Sequence, residues 1–113
     1  MKKENILKKN EEFNRIINSI KPERTNNFNL YLERNTSENY FFGFVVGKKL
    51  GNAVTRNYIK RRIKNIVGVK KYKKGFICII MCKKNTERES YVKLEEELDK
   101  YFSKHNLYEE NIC

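Results

Sequence analysis

Three kinds of side chain could do chemistry in this sequence, and they are very unevenly supplied. Proton transfer by histidine has one candidate, His105, close to the C-terminal end. Carboxylates are dense only around Glu95, Glu96, Glu97 and Asp99, where an amphipathic helix would leave them as a solvated face. Cys78 and Cys82 lie four apart in an apolar run, on one face of a strand, and Cys113 closes the sequence. No second ligand pair at finger spacing accompanies them, so free thiols are expected, the first two packed as small apolar groups. A glycine-rich phosphate loop and a nucleophile elbow are both absent from the sequence. Hydrolysis of RNA by protein groups needs paired histidines or a carboxylate cluster around metal. The expectation is therefore no protein active site, and no cofactor or metal held by the protein.

Side chains that hold anions are abundant. Lys48 and Lys49 precede Gly51 and Asn52, and Arg56, Lys60, Arg61, Arg62 and Lys64 follow on one predicted helix. At about 100° per residue, Ile59, Ile63, Ile66 and Val67 share one arc, Asn57, Lys60, Arg61 and Lys64 the neighbouring arc, and Arg56 the border. Apolar contacts can anchor such a helix while long cationic side chains project from its flank. Arginine can grip a phosphate with two parallel bonds, and lysine meets it as a point charge. Loop cations, free N–H groups and the positive helix end converge near Asn52, which favours an anionic partner.

The whole composition agrees with that partner. Lys and Arg number 25 against 14 Asp and Glu, a net charge of +11, in a chain of 113 residues. This sign and size point to a polyphosphate. The longest apolar run, Phe76 to Cys82, is far short of the ~20 residues that span a bilayer. The lysine-rich start is not followed by the apolar stretch of a signal peptide. A cytoplasmic protein without membrane attachment is expected. One domain over residues 1–113 can bury an adequate core, with 1–9 and 105–113 expected as flexible ends.

The elements that position these residues follow from periodicity. Phe13, Ile16, Ile17 and Ile20 predict a short amphipathic helix, with Asn10 as N-cap and Pro22 as its stop. Phe28 to Glu33 alternates, placing Phe28, Leu30 and Leu32 on a packed face and Asn29, Tyr31 and Glu33 on an accessible one. Tyr40 to Gly47 predicts a second strand, paired antiparallel with the first across a short polar loop. Ala53 to Val67 is the basic helix, stopped by Gly68. Phe76 to Cys82 is a continuous apolar strand, and the helix before it implies a parallel crossover. Tyr91, Leu94, Leu98, Tyr101 and Phe102 mark a last helix. The order α-β-β-α-β-α predicts an α/β (α+β) two-layer sandwich built on a small sheet.

The pattern Lys48-Lys49-Leu50-Gly51-Asn52-Ala53-Val54-Thr55-Arg56-Asn57, continued by Lys60-Arg61, resembles the signature of the bacterial ribonuclease P protein family. Lys8 to Phe13, Leu30-Tyr31 and the final helix extend the resemblance along the chain. It implies a left-handed βαβ crossover, against the usual right-handed rule. It also implies two partners, a catalytic RNA and precursor tRNA, with no DNA and no membrane. The RNA subunit would hydrolyse the 5′ leader phosphodiester with Mg²⁺. By position, Lys48, Lys49, Asn52, Arg56, Asn57, Lys60, Arg61 and Lys64 would contact that RNA. Phe13, Ile17, Asn29, Tyr31 and Lys83 would line a cleft for the single-stranded leader, with Tyr31 stacking on its bases. Tyr58 stands where the family usually has a second Arg, Lys64 where it often has Arg, and Ile17 at a commonly aromatic position. The alternative is a general structured-RNA binder of ribosomal type. A helix-turn-helix DNA reader would need a helix closely preceding Ala53, which the pattern lacks.

Overall fold

The computed structural model describes residues 1–110, so Cys113 lies outside the described residues. The helices are α1 (Asn10–Ser19), α2 (Ala53–Gly68) and α3 (Tyr91–Lys104). The strands are β1 (Glu23–Arg24), β2 (Phe28–Arg34), β3 (Tyr40–Val45) and β4 (Phe76–Cys82), with short 3-10 turns at Lys3–Asn5 and Lys48–Leu50. No described helix is long and apolar enough to cross a membrane.

The strands form one four-stranded sheet in the order β1-β2-β4-β3. The expected crossover is present, since β3 and β4 are parallel neighbours joined through α2. The expected β2–β3 hairpin is not, because β4 lies between them and pairs antiparallel with β2. The reason is burial. Every residue of β4 except Met81 is buried, and a strand apolar on both sides is most stable at the centre of a sheet. The loop from β2 to β3 therefore reaches across the start of β4. Asn35 N–H donates to the Gly75 carbonyl and Gly75 N–H donates to the Asn39 carbonyl, each at 2.9 Å. Gly75 has φ +90°, and a Cβ there would lie 2.9 Å from the Asn35 oxygen, so the crossing requires glycine. β1 escaped expectation because two polar residues carry no alternation.

One sheet face packs against α2 and α3, with Phe28, Leu30, Phe42, Cys78 and Ile80 meeting Ile59, Ile63, Leu94 and Leu98. The other face carries α1, whose Ile16 is buried with Tyr31, Ile77 and Ile79. Here β3 gives way to the helix. A Cβ on Gly43 would come within 2.5 Å of the Phe13 ring, so the missing side chain is what lets α1 sit down.

Three local expectations are corrected. Asn10 is the first residue of α1, not its cap, and Lys9 in the cap position makes no side-chain bond. Part of the chain's start is packed: Met1 to Glu4, Lys8 and Lys9 are exposed, but the Asn5 amide is buried and donates to Asn39 Oδ1 and the Tyr40 carbonyl, and Leu7 N–H donates to the Phe42 carbonyl at 2.8 Å. The described part of the C-terminal segment is packed too, with Leu107 buried and Tyr108 bridged to Tyr72. Isolated buried residues have no periodicity, so nothing in the sequence announces them.

Candidate nucleic-acid interface

α2 begins where Gly51, at φ +138°, turns the chain and Asn52 caps the helix by accepting from Thr55 N–H at 2.9 Å. Asn52 is expected from the sequence among the RNA contacts, but its side-chain oxygen is engaged as the cap. Ile59, Ile63, Ile66 and Val67 are buried against the sheet, as expected of the anchoring stripe. Asn57 and Arg61 are exposed on the far side, and Arg56, Lys60 and Lys64 are half-buried along the flank. The Lys64 ammonium lies 5.9 Å from the Phe44 ring centroid, so its stem runs back over β3. Lys48 and Lys49 are exposed on the turn before the helix. The structure thus brings the predicted cations to one helix and the turn that feeds it.

Their charge is uncompensated. Among the described residues none of Lys48, Lys49, Arg56, Lys60, Arg61 and Lys64 is in an ion pair. The reason is in the sequence: from Asn39 to Thr86 there are thirteen Lys and Arg and no Asp or Glu. That segregation was a readable signal beyond net charge. Arg56 also keeps a buried Nε without a partner. The strand and 3-10 turn that precede α2 rule out a helix-turn-helix.

Arg62 does different work from its neighbours. Its guanidinium donates to the carbonyls of Thr86, Glu87 and Glu89 at 3.1, 3.2 and 2.7 Å, tying α2 to the loop between β4 and α3. Backbone acceptors have no sequence signature, so pattern alone could not find this clamp.

On the α1 side the predicted leader residues are brought to one sheet face, with a correction. Phe13, Ile17 and Tyr31 share the apolar cluster between α1 and the sheet. Tyr31, expected on an accessible face, is only 6% exposed. Alternation gives the side of the sheet but not whether a helix covers it, and α1 does. The flat face of Tyr31 is therefore closed to a stacking base. Asn29 is half-buried, opposite Met81, with its side-chain oxygen buried and unpartnered. Lys83 is committed, since its ammonium donates to the Thr25 carbonyl at 2.6 Å and closes that loop. The row Asn29, Met81 and Val45 remains half-exposed as a floor beside α1.

His105, Glu97, Asp99 and the two cysteines of β4 are engaged in the fold. His105 Nε2 lies 3.3 Å from Glu23 and its ring against Tyr101. Glu97, expected to be solvated, accepts from Asn27 N–H at 2.8 Å and from Thr25, and Asp99 accepts from the Tyr108 hydroxyl at 2.6 Å. Burial pushes the Cys82 thiol up to about 12, with Lys60 pulling slightly the other way, and pushes Cys78 higher. Both behave as small apolar core groups. No cluster of three or more potential metal ligands occurs among the described residues.

A family model described as Ribonuclease P matches residues 1–106. The ribonuclease P protein component of Mycoplasma mobile is 33% identical over 113 residues, covering 99% of this chain and 99% of that protein. The ribonuclease P protein component of Bacillus velezensis is 36% identical over 115 residues, covering 98% of this chain and 97% of that one. The solved RNase P protein of Staphylococcus aureus superposes with TM-score 0.77 at 25% identity, over 93% of this chain and 98% of that one. The RNase P protein of Thermotoga maritima gives TM-score 0.73 at 25% identity, over 87% and 94%.

Proposed function

Because the chain belongs to the ribonuclease P protein family, we propose that it is the protein subunit of a ribonuclease P ribonucleoprotein, holding the catalytic RNA through α2 and the 5′ leader of precursor tRNA on the sheet face beside α1. The observation that carries this reading is the row of unpaired cations on a helix fixed by its buried stripe. Such a row neutralises phosphates and releases their counterions, which supplies affinity without base reading. Hydrolysis of the leader phosphodiester belongs to the RNA partner and its Mg²⁺, and this chain supplies binding. Precursor and mature tRNA share one body, so a protein that touches only the leader favours substrate over product. With Tyr31 covered, the floor of Asn29, Met81 and Val45, flanked by Ile17 and Phe13, is the surface left for leader nucleotides.

Reconstitution tests the assignment. The full chain, mixed with a bacterial ribonuclease P RNA and precursor tRNA at Mg²⁺ too low for the RNA alone, restores cleavage at the mature 5′ end. Replacing Arg56, Lys60 and Arg61 together by Ala weakens assembly and flattens its dependence on log salt, by ~0.7–0.9 for each phosphate that is no longer neutralised. No restored cleavage rejects the function, and an unchanged slope in the triple variant rejects α2 as the RNA-binding element.

A further inference from the structure

Tyr58 is 44% exposed on the outer side of α2, with the exposed Arg61 one turn further along the helix. The Arg62 guanidinium carbon lies 5.3 Å from its ring centroid. That guanidinium cannot swing away freely, because three backbone carbonyls hold it at 2.7–3.2 Å. One side of the ring is thus backed by a fixed cation, and the hydroxyl has no hydrogen-bond partner among the described residues. A flat aromatic ring in cationic surroundings, with a cation behind it and water in front, is built to receive another π system.

We propose that Tyr58 is a base-stacking site, a platform for one unpaired RNA base whose phosphate rests on Arg61. Arg61 is three residues further along the helix, a spacing that separates Cβ atoms by roughly 5–6 Å. This is comparable to the offset between a nucleotide's base and its phosphate. α2 itself carries no carboxylate to repel that phosphate, and the nearest acids in the loop that Arg62 grips, Glu87 and Glu89, lie on the Arg62 side of the ring. Every base offers a π face, so the platform selects unpaired nucleotides over duplex and not one sequence over another. The inference rests on the reading that α2 binds RNA, and adds a contact to base to contacts with phosphate.

The test compares single-stranded oligoadenylate with an abasic ribose-phosphate strand of equal length, binding the full chain and its Tyr58→Ala and Tyr58→Phe variants. Tyr58→Ala loses about 5- to 150-fold in affinity for oligoadenylate, keeps its affinity for the abasic strand, and keeps the wild-type salt slope. Tyr58→Phe binds both strands as the wild type does. Equal loss on both strands, no loss on oligoadenylate, or a Phe variant as weak as the Ala variant overturns the platform. Tyr58 is a surface residue, so unchanged thermal unfolding of Tyr58→Ala accompanies the expected result. Failure of the wild-type chain to bind either strand, or to restore cleavage on reconstitution, overturns the RNA-binding reading itself. Wild-type binding and cleavage matched by Tyr58→Ala overturns the platform alone.

Discussion

Arg61 and Arg62 are adjacent and chemically identical, and the helix turns them to opposite tasks. Arg61 is exposed and unpaired, while Arg62 donates to three carbonyls of the loop that leads into α3. Removing the donor strands partly buried acceptors, so Arg62→Met costs about 1–3 kcal/mol in denaturant unfolding. Arg61→Met stays within about 0.5 kcal/mol of wild type and loses affinity for RNA instead. A variant pair with the reverse pattern would exchange the two assignments. Tyr31 is decided by the same question of what covers a side chain. Its ring is packed with Ile16, Ile77 and Ile79, so Tyr31→Ala lowers stability by ~3–5 kcal/mol, as large-to-small core changes do. Tyr31→Phe keeps the packing, and thermal unfolding of the two variants separates a core role from a surface one.

At the scale of elements, α1 is held to the sheet by an apolar stripe, by the space at Gly43, and by one ion pair at its side. Arg15 donates to both oxygens of Glu33 on β2, the second at 2.8 Å. That hydrogen bond holds the Glu33 carboxyl below its ordinary value, against the opposing effect of burial, and the positive charge adds to it. A carboxyl lowered in the folded state stabilises above its unfolded pKa, ~4.3 for Glu. The contribution disappears as pH falls through the lower, folded value. Glu33→Gln therefore removes part of the acid sensitivity, seen as a flatter stability curve below about pH 4.3, and an unaltered curve would show that the pair is idle. The elements differ in how legible they were. α2 could be read almost completely, because one helix kept its apolar and cationic residues on separate arcs. The sheet order could not be read from chain proximity, although Phe76 to Cys82 held the clue: a run apolar on both sides belongs in the middle. Half of the proposed leader surface was legible as side-of-sheet parity at Asn29 and Tyr31. Its covering by α1 was not, because a short amphipathic stripe does not say which face it will meet.

Across the whole molecule charge is segregated along the chain. All 14 acids lie before Asn39 or after Thr86, and the thirteen cations between them include the unpaired row on α2. The stretch proposed to bind RNA is also a stretch that repels itself, at a range set by the ~10 Å Debye length near 0.1 M salt. Added potassium chloride therefore raises the melting temperature of the isolated chain at low ionic strength, while the same addition dissociates it from RNA. Measuring both on one titration series checks the expectation, and a melting temperature that falls or stays flat over that range would contradict it. The acid-free stretch thus sets an ionic optimum for the pair: in dilute medium the lone polypeptide is frail and its nucleic-acid partner acts as its missing counter-charge, whereas in concentrated brine it stands well alone and lets that partner go.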